Sequence, residues 1–167
     1  YAPPEIQLLD GATDLPLNST VNLGATNVGT PITKILTIKT LGNSNLNLTG
    51  SPIVSVTGTG FSVVANPTAS IAPANPSSFT LQFNPGAVGP ATGTVSIVNN
   101  DSDENPFILS LQGTAVGLPQ TLTFTLPTVA TVGDTPLALS ATTTSGLPVT
   151  FASTTPDVCT VSGTTLF

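Results

Sequence analysis

The chain has no histidine, methionine or tryptophan, only one cysteine (Cys159), and two basic residues, Lys34 and Lys39, so arginine is absent as well. Each absence removes a chemistry. General acid/base and nucleophilic sites draw mostly on His, Cys and Lys, and a carboxylate-only site needs paired acids across a cleft. Cys159 has no histidine to act as its base, and Lys34 and Lys39 are too few to line a phosphate backbone. The missing tryptophan removes the side chain best suited to stacking on sugars. With eight acids the formal charge is −6 at pH 7, which opposes both nucleic acid and an anionic membrane surface. No apolar run approaches the roughly 20 residues that span a bilayer as a helix. The composition excludes no catalytic class outright, but it points to a chain with no catalytic residues and no cofactor.

What remains is Thr, Ser, Val, Leu, Ile and Phe, punctuated by 15 Gly and 16 Pro. Apolar and polar residues alternate with period two between turn residues, the pattern of half-buried strands. The predicted inward sets are Leu36 and Ile38, Val54 and Val56, Phe61 and Val63, Phe79, Leu81 and Phe83, Val95 and Ile97, and Phe107, Leu109 and Leu111. No stretch repeats apolar residues at i, i+3, i+4 and i+7, and the prolines and glycines leave little room for a helix. The expectation is an all-β chain of tandem immunoglobulin-like sandwiches. Asn99 to Pro106 reads as a long hairpin loop, its Asn and Asp residues favouring turns. Ala115-Val116-Gly117-Leu118-Pro119 marks a boundary between modules over 1–116 and 117–167. In the second, the predicted inward sets are Leu122, Phe124 and Leu126, Leu137, Leu139 and Ala141, Val149 and Phe151, and Cys159 and Val161.

Three further patterns bear on function. Asp101, Asp103 and Asn105 place oxygen ligands at alternate positions, like the opening of a calcium loop, although Pro106 and Gln112 stand where an EF-hand needs Gly and a bidentate Glu. The competing reading is a solvated hairpin loop. Cys159 is either a small buried hydrophobe beside Val161 or half of a disulfide whose partner lies outside the chain. Asn18-Ser19-Thr20, Asn47-Leu48-Thr49 and Asn100-Asp101-Ser102 match the N-glycosylation pattern, as chance produces often in an Asn- and Thr-rich chain. The opening Tyr1-Ala2-Pro3-Pro4-Glu5 carries neither the basic nor the apolar region of a signal peptide, which fits a mature secreted fragment and a cytosolic protein alike. Six percent charged residues, against about a quarter in average soluble chains, favour the extracellular reading.

Val21-Asn22-Leu23-Gly24-Ala25-Thr26-Asn27-Val28-Gly29-Thr30-Pro31, Phe79-Thr80-Leu81-Gln82-Phe83-Asn84-Pro85 and Asn99-Asn100-Asp101, followed by Pro106 to Thr114, resemble the choice-of-anchor D modules of bacterial secreted proteins, relatives of the Hydin-type domains. Gln120 to Phe124, Val132-Gly133-Asp134, Ser145 to Phe151 and Val158 to Gly163 resemble a bacterial Ig-like repeat. That group normally continues for some 25 more residues with a second cysteine, so the resemblance implies an incomplete second module and an external partner for Cys159.

These resemblances imply a non-catalytic building block of an extracellular bacterial fibre, stalk or surface layer, whose partners are other copies of itself or neighbouring Ig-like modules. An open module accepts a strand from another subunit, and the apolar N-terminal stretch around Ile6 and Leu8 is the expected donor strand. The alternative is an adhesive module that binds a glycan or protein through its loops.

Overall fold

The computed structural model describes residues 2–125, 133 and 135–167, and among them every regular element is a β-strand. The chain divides into two compact units, Tyr1–Leu118 and Pro119–Phe167. Among the described residues no helix is long and apolar enough to cross a membrane.

The first unit contains β1 (Ile6–Asp10), β2 (Thr13–Leu15), β3 (Thr20–Asn27), β4 (Ile32–Thr40), β5 (Leu46–Asn47), β6 (Ser55–Thr57), β7 (Phe61–Ala65), β8 (Ser70–Ile71), β9 (Ser77–Phe83), β10 (Gly89–Ile97) and β11 (Phe107–Val116). One sheet has the order β2-β1-β4-β9-β7 and the other β3-β11-β10-β6, with β5 and β8 forming a separate short pair. This is an Ig-like β-sandwich. Period two governs it visibly: along β11 every second residue from Phe107 to Ala115 is buried and the intervening ones are not. Leu36, Ile38, Phe79, Leu81, Phe83, Val95, Ile97, Phe107, Leu109 and Leu111 fill the core between the sheets, with Phe61 and Val54 at its margin and Val56 and Val63 packed against it. Phe61 stacks on Phe83 at 4.7 Å between ring centroids.

β10 and β11 form the longest ladder, pairing from Gly89↔Ala115 to Ile97↔Phe107. β3 joins the far side of β11 in parallel, with a bulge opposite Gln112/Thr114. The turn from β3 to β4 explains much of the Asn27–Pro31 sequence. Gly29 adopts φ 75°, which favours glycine, the Thr30 amide donates to the Asn27 carbonyl at 2.9 Å, and the Thr26 hydroxyl donates to the Thr30 carbonyl at 2.8 Å.

The N-terminal segment requires a correction. Ile6 and Leu8, expected to be a strand offered to another subunit, belong to β1, which pairs with β2 on one side and β4 on the other. Both side chains are buried in the first unit's own core. Alternating apolar residues near a terminus signal a strand but do not say whose sheet it enters. The free edges are also poorly suited to exchange: β2 and β6 have three residues each, β7 has an irregular register with β9 between Val63 and Ala65, and in β3 the Asn22 side chain accepts the Gly24 amide at 2.8 Å.

The second unit contains β12 (Leu122–Thr125), β13 (Leu137–Ala138), β14 (Ser140–Thr143), β15 (Val161–Ser162) and β16 (Thr165–Leu166). β12 pairs with β14, and β16 lies between β13 and β15. Leu139 is the one buried hydrophobic residue among those described here. Leu122 and Phe124, expected to face a core, are 58% and 42% exposed, and Phe124 touches Phe151 at a centroid distance of 5.5 Å. A two-stranded ribbon has too little facing surface to cover them. Leu137, Ala141, Val149, Phe151, Cys159 and Val161 are half-buried. Leu126, Val132 and Asp134 lie outside the described residues.

Candidate functional site

A network of polar side chains occupies the β10–β11 connection, residues 98–106, where it meets the start of β1. The alternation that builds the β10–β11 ladder ends at Ile97 and resumes at Phe107, and the Asn and Asp residues between them bond the backbone in place of a ladder. Asn99 is buried; its amide side chain donates to the carbonyls of Ile97 at 3.1 Å and Glu104 at 3.0 Å, and its oxygen accepts the Asp101 amide at 2.7 Å. Asn105 Oδ1 accepts the Asn99 amide at 3.1 Å. Asn100 reaches sideways to β5, accepting the Asn47 amide at 2.7 Å and donating to the Asn45 carbonyl at 3.3 Å.

Asp101 is only 2% exposed. Its Oδ2 accepts the backbone amide of Ile6 at 2.9 Å, across 95 positions of sequence, and its Oδ1 accepts the Asp103 amide at 3.4 Å. Charge-assisted bonds to backbone amides are how a carboxylate is tolerated away from water without a cation. Asp101 thus fastens the N-terminal strand to the opposite sheet's hairpin.

The calcium reading of Asp101, Asp103 and Asn105 does not describe what converges. Asp103 and Asn105 serve the loop through a backbone amide and a side-chain oxygen. The carboxylates that meet are those of Glu5, Asp101 and Glu104, whose oxygens lie within 4.8 Å of one another. Both Asp101 oxygens already accept amides. Partial removal from water raises the Glu104 carboxyl above its usual 4.5, reinforced by the charges of Asp101, Glu5, Asp103 and Asp14. Glu5 is raised in the same direction by desolvation and by Asp101 and Asp103. The two glutamates were not legible as site residues: Glu5 is remote in sequence, and Glu104 falls out of the alternate spacing.

Beside this cluster lies an open depression of about 150 Å³ lined in part by Gln7, Asp14, Leu41 and Phe107. A second, of about 320 Å³, follows the Pro85–Pro90 turn and is lined by backbone and small side chains. Cys159 is half-buried with Sγ 3.6 Å from Ser153 Oγ. Of the three N-glycosylation patterns, Asn18 is exposed in a turn, whereas the side chains of Asn47 and Asn100 are engaged in the hydrogen bonds of the β5 region.

A family model matches residues 15–105: ASH, Abnormal spindle-like microcephaly-assoc'd, ASPM-SPD-2-Hydin. The chain belongs to the ASH family. The matched span runs from the end of β2 to the loop that carries Asp101, and so covers most of the first sandwich. Domains of the ASH family are in general non-catalytic Ig-like modules. No curated protein matches the chain. Among solved structures, a protein of unknown function from Porphyromonas gingivalis W83 is similar, with a TM-score of 0.53 and 15% identity over 66% of this chain and 46% of that one. This chain thus spans about half the length of that protein. The ASH/PapD-like domain 7 of human CEP192 has a TM-score of 0.48 and 10% identity, over 68% of this chain and 87% of that one. At such identities the likeness is one of fold.

Proposed function

We propose that this ASH-family chain is a structural building block of an extracellular bacterial surface assembly, a fibre, stalk or layer in which Ig-like modules follow one another, and that its first unit is of the choice-of-anchor D kind. The observation that carries this reading is the use made of the polar side chains of the β10–β11 loop. Asn99, Asn100, Asp101 and Asn105 are spent on backbone groups of their own unit, which serves shape and leaves little for a ligand. The scarcity of charge supports an extracellular setting. On this reading the partners are neighbouring Ig-like modules or other copies of the chain, and Cys159 pairs with a cysteine supplied from outside it.

Electron microscopy of the purified protein, alongside a glycan array, tests the proposal. Filaments or ordered layers support a building block. A monodisperse monomer that binds defined glycans overturns it in favour of adhesion through loops.

A further inference from the structure

The Asp101 carboxylate is buried, holds Ile6 of β1 from the opposite sheet's hairpin, and has two more carboxylates within 4.8 Å. The charged groups that act on Glu5 and Glu104 all have the same sign: Asp14 on β2, Asp101 and Asp103 in the loop, and the two glutamates themselves. Lys34 is committed to Asp10 at 2.7 Å, and Lys39 stands opposite Gln7 in the β1–β4 register. No cation is among the charges that act on Glu5 or Glu104. Glu5 and Glu104 cannot ionise beside the Asp101 carboxylate without repulsion.

We propose that the foot of β1 is a clasp that mild acid tightens: a proton taken up by Glu5 or Glu104 relieves the crowding of charge around the Asp101 carboxylate and holds Ile6 more firmly to the loop. A protonated glutamic acid also gains a donor, which an Asp101 oxygen can accept.

The sign follows from linkage. Glu5 and Glu104 are both shifted upward from 4.5 in the folded protein, so the folded state binds the proton more tightly than the unfolded chain. Their stabilising contribution is complete below 4.5 and is lost as pH rises through the elevated folded values. The clasp is therefore looser at neutral pH than in mild acid, the opposite of ordinary acid lability.

Amide hydrogen exchange on the full chain, corrected for the intrinsic rate at each pH, reads this directly. Protection of the Ile6 amide, taken relative to the Leu109 amide in the central ladder, should be higher near pH ~4.5 than near pH ~7.5, because the contribution of the two raised glutamates grows as pH falls toward their unfolded value. Glu5→Gln with Glu104→Gln should abolish that pH dependence while Leu109 stays protected, and each single variant should reduce it. An Ile6/Leu109 ratio that is flat or falls with acid in the parent protein overturns the proposal. So does a pH dependence that survives in the double variant.

Discussion

Phe83 of β9 and Gly113 of β11 meet across the sandwich: a Cβ placed on Gly113 would come within 2.7 Å of the Phe83 ring. Gly113 sits where the β11–β3 register shifts between Gln112 and Thr114, so the missing side chain and the bulge together admit the ring between the sheets. Phe83 is fully buried and stacks on Phe61.

Phe83→Ala should therefore destabilise the first unit by about 3–5 kcal/mol, as a large aromatic lost from a close-packed core. Gly113→Ala should cost about 1–3 kcal/mol by overpacking. The two should be non-additive, because removing the ring vacates the space the new methyl needs. Urea unfolding of the single and double variants measures the coupling, and strict additivity would contradict the contact.

Asp101→Ala should cost about 1–3 kcal/mol, because the buried amide of Ile6 loses its acceptor. Asp101→Asn retains one side-chain oxygen where two amides need acceptors, and so should recover only part of that loss. Thermal melts of the two variants at one pH give the comparison. Equal stability of Asp101→Ala and the parent would show the clasp to be idle.

Deleting residues 2–10 should unfold the first unit. The deletion removes buried Ile6 and Leu8 and strips β4 and β2 of their shared neighbour. Near-ultraviolet circular dichroism or a proton–nitrogen NMR spectrum decides the matter. A dispersed, native-like spectrum from the shortened chain would restore the idea of a dispensable donor strand.

A fragment ending at Leu118 should melt cooperatively near the temperature of the first transition of the full chain. Residues 119–167 alone should show no cooperative melt, because among the described residues there only Leu139 is buried, and a unit so small has little apolar surface to hide. Calorimetry of both pieces tests this, and a sharp transition from the smaller one would refute it.

Much of the sandwich could be read in advance, because period two survives tertiary packing. Phe107, Leu109 and Leu111 point inward for the same reason they alternate. What alternation leaves open is partnership. Ile6 and Leu8 carried the correct strand pattern, yet nothing local identifies β4 as their neighbour rather than another molecule's edge. The same limit hid Glu5, which enters the acidic cluster only through long-range pairing. In the opposite direction, Leu122 and Phe124 had a core pattern without enough surrounding surface to make them core. Asp101 looked like a ligand because its spacing was visible, whereas its acceptor role toward Ile6 depends on a contact the sequence does not encode locally.

The parallel pairing of β3 with β11 governs how the first unit would bear load. A pull entering ahead of β3 and leaving beyond Val116 draws two side-by-side, like-directed strands lengthwise in opposite senses, so their hydrogen bonds from Ser110↔Thr20 to Val116↔Asn27 resist together in shear. Traction on Gly89 and Val116 instead opens the β10–β11 hairpin from its free end, one rung at a time. Single-molecule extension with handles at residues 2 and 118 should give a markedly higher rupture force than handles at 89 and 116. Strain on a string of such modules would then be held in the ladder that joins each unit's early strand to its last.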